Sequence, residues 1–311
     1  MQKKKVYLVL SSGGARGMAH IGVIEEIEKL GWEIVAVSGS SMGAAVGGVY
    51  AAGKLEAFKS WMYTLDKIDV YRLMDFTINS KGFIKGERVF KQMENIIGGS
   101  PNIENLPVKF SAAATDLNKR KCHFFKSGNL LDAIRASVAV PTVLTPFVKN
   151  NNTYIDGGIA NPIPVNAFLK LKYDLKIIVN VNANREYTVP EICLKKPVNE
   201  TNYRFQIDKF IDYWWNGSKN MIEKKEELGY FKLLTKSIEI MMDHISDHIL
   251  EKNKPDLIIE VSRDAASIMD FYKSEEMVEA GREAFLKEIH ALEHLSKATE
   301  EITNLKKDRL L

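Results

Sequence analysis

The fold is decided by one stretch of sequence, IVAVSGSSMGAAVGGVYAA at residues 34–52. Its apolar start predicts a buried strand, its small-residue end predicts a helix, and the G-x-S-x-G pattern between them predicts a sharp turn with Ser41 at the apex. A nucleophile on such a turn needs neighbours without bulky side chains, and Gly39 and Gly43 stand at those positions. The same letters also suit a purely steric turn before a closely packed helix, so the motif alone leaves both interpretations open.

Another strand, loop and helix precede this unit. Residues 6–10 are apolar and predict a buried strand, residues 11–17 read SSGGARG, and residues 18–30 repeat apolar side chains at helical spacing. Converging backbone amides and the helix dipole make such a loop an anion site, which suits the oxyanion that forms if Ser41 attacks an acyl carbonyl. A dinucleotide site is the alternative. Against it, Ser12 stands at the first glycine position of that fingerprint, and no ribose-binding acid ends the second strand.

A serine nucleophile needs a base, and Asp156 is the better candidate. It ends a predicted strand, and Gly157 and Gly158 after it permit a tight turn. A carboxylate can accept the proton if burial raises its pKa, or if its hydrogen bond to the hydroxyl strengthens as the proton moves. Histidine is the usual base, but we expect His20 to pack or to position its helix. An ordinary Asp-Gly turn is the alternative interpretation of residues 156–158.

The remaining pattern predicts an α/β protein with a single domain. Strands and helices alternate, and the fully apolar strands favour a mostly parallel sheet that is covered on both faces. We predict a short helix near residues 165–171, a helical insertion at about residues 200–253 and a C-terminal helix at about residues 275–311. The core of the domain then comprises about residues 5–183 and 255–295.

Composition excludes several classes of function. The 311 residues carry a formal net charge of +3, far from the concentrated positive field of a nucleic-acid-binding protein, so we expect no nucleic-acid partner. The basic clusters at residues 3–5 and 119–121 are typical of solvated faces. Cys122 and Cys193 form no metal or redox motif, so we expect no metal site and no cofactor. No apolar run reaches the roughly 20 residues that span a bilayer, and we expect a cytoplasmic protein that is soluble or peripheral to the membrane.

Taken together, the motifs resemble those of the patatin-like phospholipase family, particularly its bacterial branch. The resemblance covers about residues 5–183 and resumes at about residues 255–284. The matching segments are GGARGMAHIGV at residues 13–23, GSSMGA at residues 39–44, ATDL at residues 114–117, IRAS at residues 134–137 with Pro141, and DGG at residues 156–158 with Asn161 and Pro164. As a set, these motifs are highly specific for the family.

The resemblance implies a three-layer α/β/α fold, a Ser-Asp dyad in place of a triad, and metal-independent hydrolysis of acyl esters in lipids. Carried over by position, Ser41 is the nucleophile and Asp156 activates it. The resemblance further implies an oxyanion hole supplied or supported by Gly13, Gly14, Ala15 and Arg16, and supporting turns at Gly17, Gly39, Gly43, Gly157 and Gly158. Ser12 departs from the family, which usually has another glycine there.

The expected function is therefore a serine acyl hydrolase of the phospholipase A or lysophospholipase type, with a lipid or another acyl ester as substrate. Two alternatives stay open: an esterase or thioesterase that acts on soluble acyl compounds, and a catalytically idle regulatory scaffold of the same fold. We predict one of two roles for the helical insertion. It is either a cap that contacts a membrane or lines an acyl channel, or a helical hairpin packed on the sheet. The residues behind this prediction are Phe210, Trp214, Trp215, Phe231, Lys224 and Lys225.

Overall fold

A mixed sheet forms the centre of the molecule. The computed structural model describes residues 3–73, 86–141, 143–190 and 230–308, and these contain eight strands. The strands are β1 (Lys5–Leu10), β2 (Glu33–Ser40), β3 (Lys109–Asp116), β4 (Lys121–Phe125), β5 (Phe147–Lys149), β6 (Asn152–Ile155), β7 (Leu175–Ala183) and β8 (Leu257–Ser262). Their order in the sheet is β5-β6-β3-β2-β1-β7-β8, and β4 pairs with β3 outside this path.

The central strands are parallel, as the sequence predicts. β1 pairs with β2 and with β7, β2 pairs with β3, and β7 pairs with β8, all in parallel. β4, β5 and β6 join by antiparallel pairing. The carboxyl ends of parallel strands meet at one edge of a sheet, which is where α/β proteins commonly bind ligands. We call this edge the carboxyl edge and the opposite one the amino edge.

Helices connect the strands and pack around the sheet. They are α1 (Ala19–Lys29), α2 (Met42–Ala51), α3 (Leu55–Thr64), α4 (Lys67–Leu73), α5 (Glu87–Ile97), α6 (Leu130–Ser137), α7 (Tyr230–Asn253) and α8 (Ser274–Asp308). Short 3-10 helices occur at Gly14–Met18, Gly157–Ile159 and Val165–Phe168, among others. Within the described ranges, no helix has the length and apolar character that crossing a bilayer requires.

Both faces of the sheet are covered, because alternate residues of β1 enter two separate apolar clusters. Leu8 and its neighbours at alternate positions are fully buried in the larger cluster, which also contains residues of α1, α2 and α8. Tyr7 and Val9 are buried in the smaller cluster, against which Ile249 and Leu250 of α7 pack. The prediction of a sheet covered by helices on both faces is confirmed.

The helix predicted near residues 165–171 is shorter than expected. Only a 3-10 helix forms there, at Val165–Phe168. The Tyr7 hydroxyl donates to the carbonyl of Val165 at 3.1 Å, and that carbonyl is the acceptor an α-helix would use for the amide of residue 169. This tertiary hydrogen bond comes from a residue far away in the sequence, and local periodicity cannot reveal it.

Two further predictions concern the C-terminal half. α7 accounts for residues 230–253 of the predicted helical insertion, and residues 200–229, with the aromatic residues named above as far as Trp215, lie outside the described residues. Phe231 belongs to α7, but its side chain is likewise outside the description. α8 begins one residue before the predicted C-terminal helix. The division of the chain into one domain stays a prediction.

Candidate active site

Ser41 lies at the junction between β2 and α2, on a strained turn. Its backbone angles are φ 52° and ψ −123°, in a region that residues other than glycine rarely adopt. The residue is 6% exposed, so it is buried at the carboxyl edge. A strained serine between a strand and a helix is the geometry of a nucleophile elbow, which holds the oxygen clear of its own backbone.

Close backbone contacts explain the small residues around Ser41. A Cβ at Gly39 would collide with the backbone of Gly43, and a Cβ at Gly43 would lie 2.5 Å from the Leu10 carbonyl oxygen. At Gly17, an added Cβ would lie 2.6 Å from Cβ of Met42. These glycines let the first loop approach the serine turn to within van der Waals distance. The steric and functional interpretations of the motif are therefore compatible.

Ser137 holds the serine turn, a contact that sequence reasoning missed. Its hydroxyl oxygen accepts a hydrogen bond from the amide of Ser41 at 2.9 Å and donates one to the carbonyl of Ala113 at 2.6 Å. It therefore connects the turn after β2 to the neighbouring strand β3. The IRAS segment contains this residue, but a serine at the end of a short helix gives no local signal for such a role.

Asp156 reaches the same edge on the antiparallel strand β6. Ile155, the residue before it, pairs with Thr115, two residues beyond the point where Ser40 pairs with Ala113. The Thr115 hydroxyl donates to the carbonyl of Asp156 at 2.7 Å, and the amide of Gly158 donates to Oδ1 of the carboxylate at 2.8 Å. The backbone and one carboxylate oxygen are thus fixed. The role of Thr115 was not predicted.

Burial raises the pKa of Asp156 to about 6, because an apolar environment disfavours the charged carboxylate. Hydrogen bonds from the Ser41 side chain and from the amide of Gly158 act in the opposite direction and lower it. The second carboxylate oxygen, Oδ2, is buried, and among the described residues no donor completes a hydrogen bond of ordinary geometry to it. The turns of Asp156 and Ser41 are neighbours, because a Cβ at Gly157 would lie 2.7 Å from the hydroxyl oxygen of Ser40. Hydrogen bonds between catalytic groups are often long or poorly aligned in sites without substrate.

The turn of Asp156 also depends on its two glycines. A Cβ at Gly157 would lie 2.7 Å from the Ser40 hydroxyl oxygen and closer still to the Ala113 carbonyl. A Cβ at Gly158 would lie 2.9 Å from the Ser12 hydroxyl oxygen and 2.5 Å from the terminal methyl of Met242, which belongs to α7. α7 therefore lies directly over this turn, and any side chain at either position would displace a neighbour.

The glycine loop contains two classes of amide. Among the described residues, the amides of Gly13 and Gly14 have no hydrogen-bond acceptor, whereas the amide of Ala15 donates to the carbonyl of Ile268 at 2.9 Å. Backbone amides without an acceptor beside a nucleophile are suited to an oxyanion. Ala15 therefore uses its amide to fix the loop, and Gly13 and Gly14 have theirs available.

The buried side chain of Arg16 supports the glycine loop. Its guanidinium donates to the carbonyls of Val181 at 3.2 Å and Ala266 at 2.7 Å, and to the Asn182 side chain at 2.8 Å. Val181 and Asn182 lie at the carboxyl end of β7, and Ala266 follows β8. The side chain of Arg16 therefore connects the loop to the sheet. Burial lowers the pKa of Arg16 from its ordinary value, since the charged form loses hydration there.

His20 is buried and bonds to the same loop, whereas the sequence analysis expected it to pack or to position its own helix. Its Nε2 lies 2.9 Å from the carbonyl oxygen of Ser11, so this nitrogen must carry the proton and donate it. The ring is fully buried, and the loss of hydration lowers its pKa to about 4. His20 is therefore neutral at physiological pH and donates its one N–H group to a carbonyl, so its role is structural.

Two more amides face the site from α2. Met42 and Gly43 occupy the first helical turn, where amides have no acceptor within the helix, and no other described residue accepts from them. The helix dipole adds a partial positive charge at this end. The amide that follows a nucleophile commonly contributes to an oxyanion hole, and the sequence analysis did not include Met42 for this role.

The site contains no group that points to a resident metal. Across the described ranges, no three side chains of His, Cys, Asp or Glu are grouped as metal ligands would be. The chemistry that the arrangement supports is acyl transfer: an alcohol on a strained turn, a buried carboxylate with an elevated pKa beside it, and a set of available amides.

Comparison with known proteins gives several matches. The profile of the patatin-like phospholipase family matches residues 8–169. An uncharacterised NTE family protein of Mycobacterium tuberculosis is 31% identical over 333 aligned positions, covering 93% of this chain and 92% of that protein. Lysophospholipase NTE1 of Coccidioides immitis is 30% identical over 188 positions, which are 58% of this chain and 12% of that protein. Among solved structures, VipD from Legionella pneumophila has a TM-score of 0.48 and 14% identity, covering 94% of this chain and 67% of that chain.

Proposed function

The chain belongs to the patatin-like phospholipase family, and from this premise we propose that it hydrolyses carboxylic esters of lipids through a dyad of Ser41 and Asp156. Membership of this family, with lysophospholipases among the relatives, supports a lipid acyl hydrolase at the level of the family. The observation that carries the finer proposal is the position of a buried Asp156, with a pKa raised to about 6, next to the strained turn of Ser41. A carboxylate with that pKa is ionised at neutral pH and can still accept a proton.

The proposed reaction has two steps. Ser41 Oγ attacks the ester carbonyl carbon while Asp156 takes the hydroxyl proton, and the resulting oxyanion accepts hydrogen bonds from the amides of Gly13 and Gly14. The bond to the leaving alcohol then breaks, and Asp156 returns its proton to that alcohol. Water attacks the acyl-enzyme with Asp156 again as base, releasing the fatty acid and restoring Ser41. We propose that no metal takes part, so a chelator should leave the activity unchanged.

The dyad is tested by substituting each member. We expect Ser41→Ala and Asp156→Asn each to lower kcat/KM on a short-chain chromogenic ester by at least about a thousandfold, with an unchanged thermal midpoint. Ser111→Ala is the matched control, because Ser111 is also buried, on β3, but its hydroxyl has no partner among the described residues. Full activity in either dyad variant would overturn the assignment. Labelling with a fluorophosphonate, followed by peptide mapping, should modify Ser41 alone.

The same experiments test two alternative functions. An esterase or thioesterase of soluble acyl compounds would show the same dependence on Ser41 but would prefer soluble substrates over lipids in a substrate panel. A catalytically idle scaffold would react with neither the ester nor the fluorophosphonate. The strained turn at Ser41 and the buried charge at Asp156 both cost stability, which favours retention for catalysis over an idle fold.

A further inference from the structure

Two hairpin turns project side by side from the carboxyl edge. β3 continues through Leu117 into the turn before β4, and β5 turns into β6 at residues 150–151. The amide of Leu117 donates to the Thr153 carbonyl at 3.0 Å, and the amide of Thr153 donates to the Asn118 side chain at 2.8 Å. These bonds join the two turns into one unit. We call residues 117–121 and 148–152 the double-hairpin tip.

The tip exposes aliphatic side chains. Leu117 is 47% exposed and Val148 is 65% exposed. Val148 pairs with Thr153 on β6, the same residue to which Leu117 is bonded, so the two aliphatic residues flank one strand. A single exposed aliphatic residue is ordinary on a protein surface. Two on adjacent turns, surrounded by cations, form an amphipathic surface.

The cations of the tip are only partly neutralised. Within the part of the chain that the structure describes, Arg120 and Lys121 have no ionic partner. Lys119 lies 3.7 Å from the buried carboxylate of Asp116, and Lys149 pairs with Asp132 at 2.9 Å. Arg120 has a φ of 53°, in the left-handed region where glycine or asparagine is less strained. A long charged side chain at that position strains a turn that needs only to reverse the direction of the chain.

The tip lies beside the candidate active site. Asp116 pairs with Tyr154, and the next pair along, Thr115 with Ile155, precedes Asp156 directly. The other basic cluster, residues 3–5, precedes and begins β1 and therefore lies at the amino edge. The two clusters look equivalent in the sequence, but only one of them shares an edge with Ser41 and Asp156.

We propose that the double-hairpin tip docks the protein on an anionic lipid surface. Leu117 and Val148 enter the interface, while Lys119, Arg120 and Lys121 contact the anionic head groups. The carboxyl edge then faces the membrane, and a lipid ester has a short path to the site. The inference rests on the proposed lipid acyl hydrolase function, because only a lipid substrate gives docking at this edge a purpose.

The test is co-sedimentation of the full chain with vesicles. We expect the wild-type protein to sediment with vesicles of phosphatidylcholine and phosphatidylserine in equal parts, and much less with pure phosphatidylcholine. The triple variant Lys119→Ser, Arg120→Asn and Lys121→Ser should lower the partition coefficient by more than about tenfold, since each cation near such a surface contributes to binding. The double variant Leu117→Ser and Val148→Ser should lower it independently of salt.

The matched control removes three cations at the amino edge, with Lys3→Ser, Lys4→Ser and Lys5→Ser. It should sediment nearly as the wild type does. An equal loss in this control, unchanged sedimentation of the tip variants, or equal binding of the wild type to both vesicle types would each overturn the proposal.

Hydrolysis of a soluble short-chain ester separates this inference from the proposed function. The tip variants should retain the wild-type rate on that ester, because none of the substituted residues belongs to the proposed machinery. Ser41→Ala should lose hydrolysis and keep vesicle binding. A wild-type protein that binds vesicles through the tip but hydrolyses no ester would support the docking surface and refute the function.

Discussion

At the scale of single residues, the environment of Asp156 determines what it can do. The side chain is 4% exposed, and one of its oxygens accepts a hydrogen bond from Gly158 while the other has none of ordinary geometry among the described residues. Burial wins over these contacts and raises the pKa to about 6. The residue is therefore stronger as a base than an exposed aspartate, at a cost in stability whenever it is ionised.

The elevated pKa predicts a pH dependence of the rate. We expect kcat/KM on a soluble ester to rise with pH through a midpoint near 6, because protonated Asp156 cannot take the proton of Ser41. A profile measured from acid to neutral pH, with folding checked at each point by circular dichroism, tests this. A rate that is flat through this range, or a midpoint near 4, would contradict the assignment of Asp156 as a buried base.

The same shift fixes the sign of a stability effect. The ordinary pKa of 3.8 describes Asp156 in the unfolded chain, and the folded value is about 6, so the folded state binds the proton more tightly. Asp156 therefore favours the folded state most below about pH 4. As the pH rises to about 6 this stabilisation is lost, and the free energy of unfolding falls by about 3 kcal/mol at most.

At the scale of elements, the crossing of α1 and α8 holds the covering layer on the sheet. Gly22 of α1 and Gly281 of α8 both lie at this crossing, where each helix contacts the backbone of the other. Arg282 adds ion pairs to Glu25 at 2.7 Å and to Glu26, both on α1. Small residues allow the close approach, and the partly buried charges fix the relative position of the helices.

This crossing predicts the result of adding one methyl group. In Gly22→Ala, the new Cβ would lie 2.8 Å from the amide nitrogen of Arg282 and closer still to the Val278 carbonyl, so the helices must separate. We expect a loss of about 2 kcal/mol or more in the free energy of unfolding, although alanine favours a helix. Chemical denaturation measures it. Glu283→Ala on the exposed face of α8 is the control and should change stability by less than about 0.5 kcal/mol. Equal stability of both variants would refute the close packing.

At the scale of the whole molecule, the glycine loop depends on parts of the chain far away in sequence. Arg16 bonds to Val181, Asn182 and Ala266, which stand more than half the chain away from it. The amide of Ala15 reaches Ile268, and the amide of Ser12 reaches the Pro162 carbonyl at 2.9 Å. The loop that offers amides beside Ser41 is thus shaped by the carboxyl end of β7 and by the segments that follow β6 and β8.

Arg16→Lys tests this dependence. Lysine keeps the charge, but its single ammonium cannot reach three acceptors that the planar guanidinium reaches together. We expect a loss of about 3 kcal/mol in the free energy of unfolding, because buried carbonyls lose their donors, and a lower kcat on every ester. Denaturation and kinetics on the same preparation measure both. Lys29→Arg, at the exposed end of α1, is a control for the exchange of the two cations and should change neither stability nor activity. An Arg16→Lys protein of wild-type stability and activity would show that the charge alone suffices.

The predictability of the site differs from residue to residue. Ser41, its flanking glycines and Asp156 could be proposed from the sequence because tight turns at strand ends require particular residue types within a short segment. Ser137 and Thr115 were missed because they act through single hydrogen bonds to backbone atoms of other strands. The helix near residues 165–171 is shorter than predicted, and the Val165 carbonyl within it accepts a tertiary hydrogen bond from the Tyr7 hydroxyl.

The sequence by itself determined the alternation of strands and helices, the sharp turn at Ser41 and the family, because these depend on hydrophobic period and on glycine at fixed offsets. Only the tertiary structure decided which groups meet. It brought the turn of Asp156 against the turn of Ser41, assigned the Ala15 amide to Ile268, and placed two similar basic clusters on opposite edges of the sheet. Strand order and pairing set these distances, and neither is encoded in any local window of the chain.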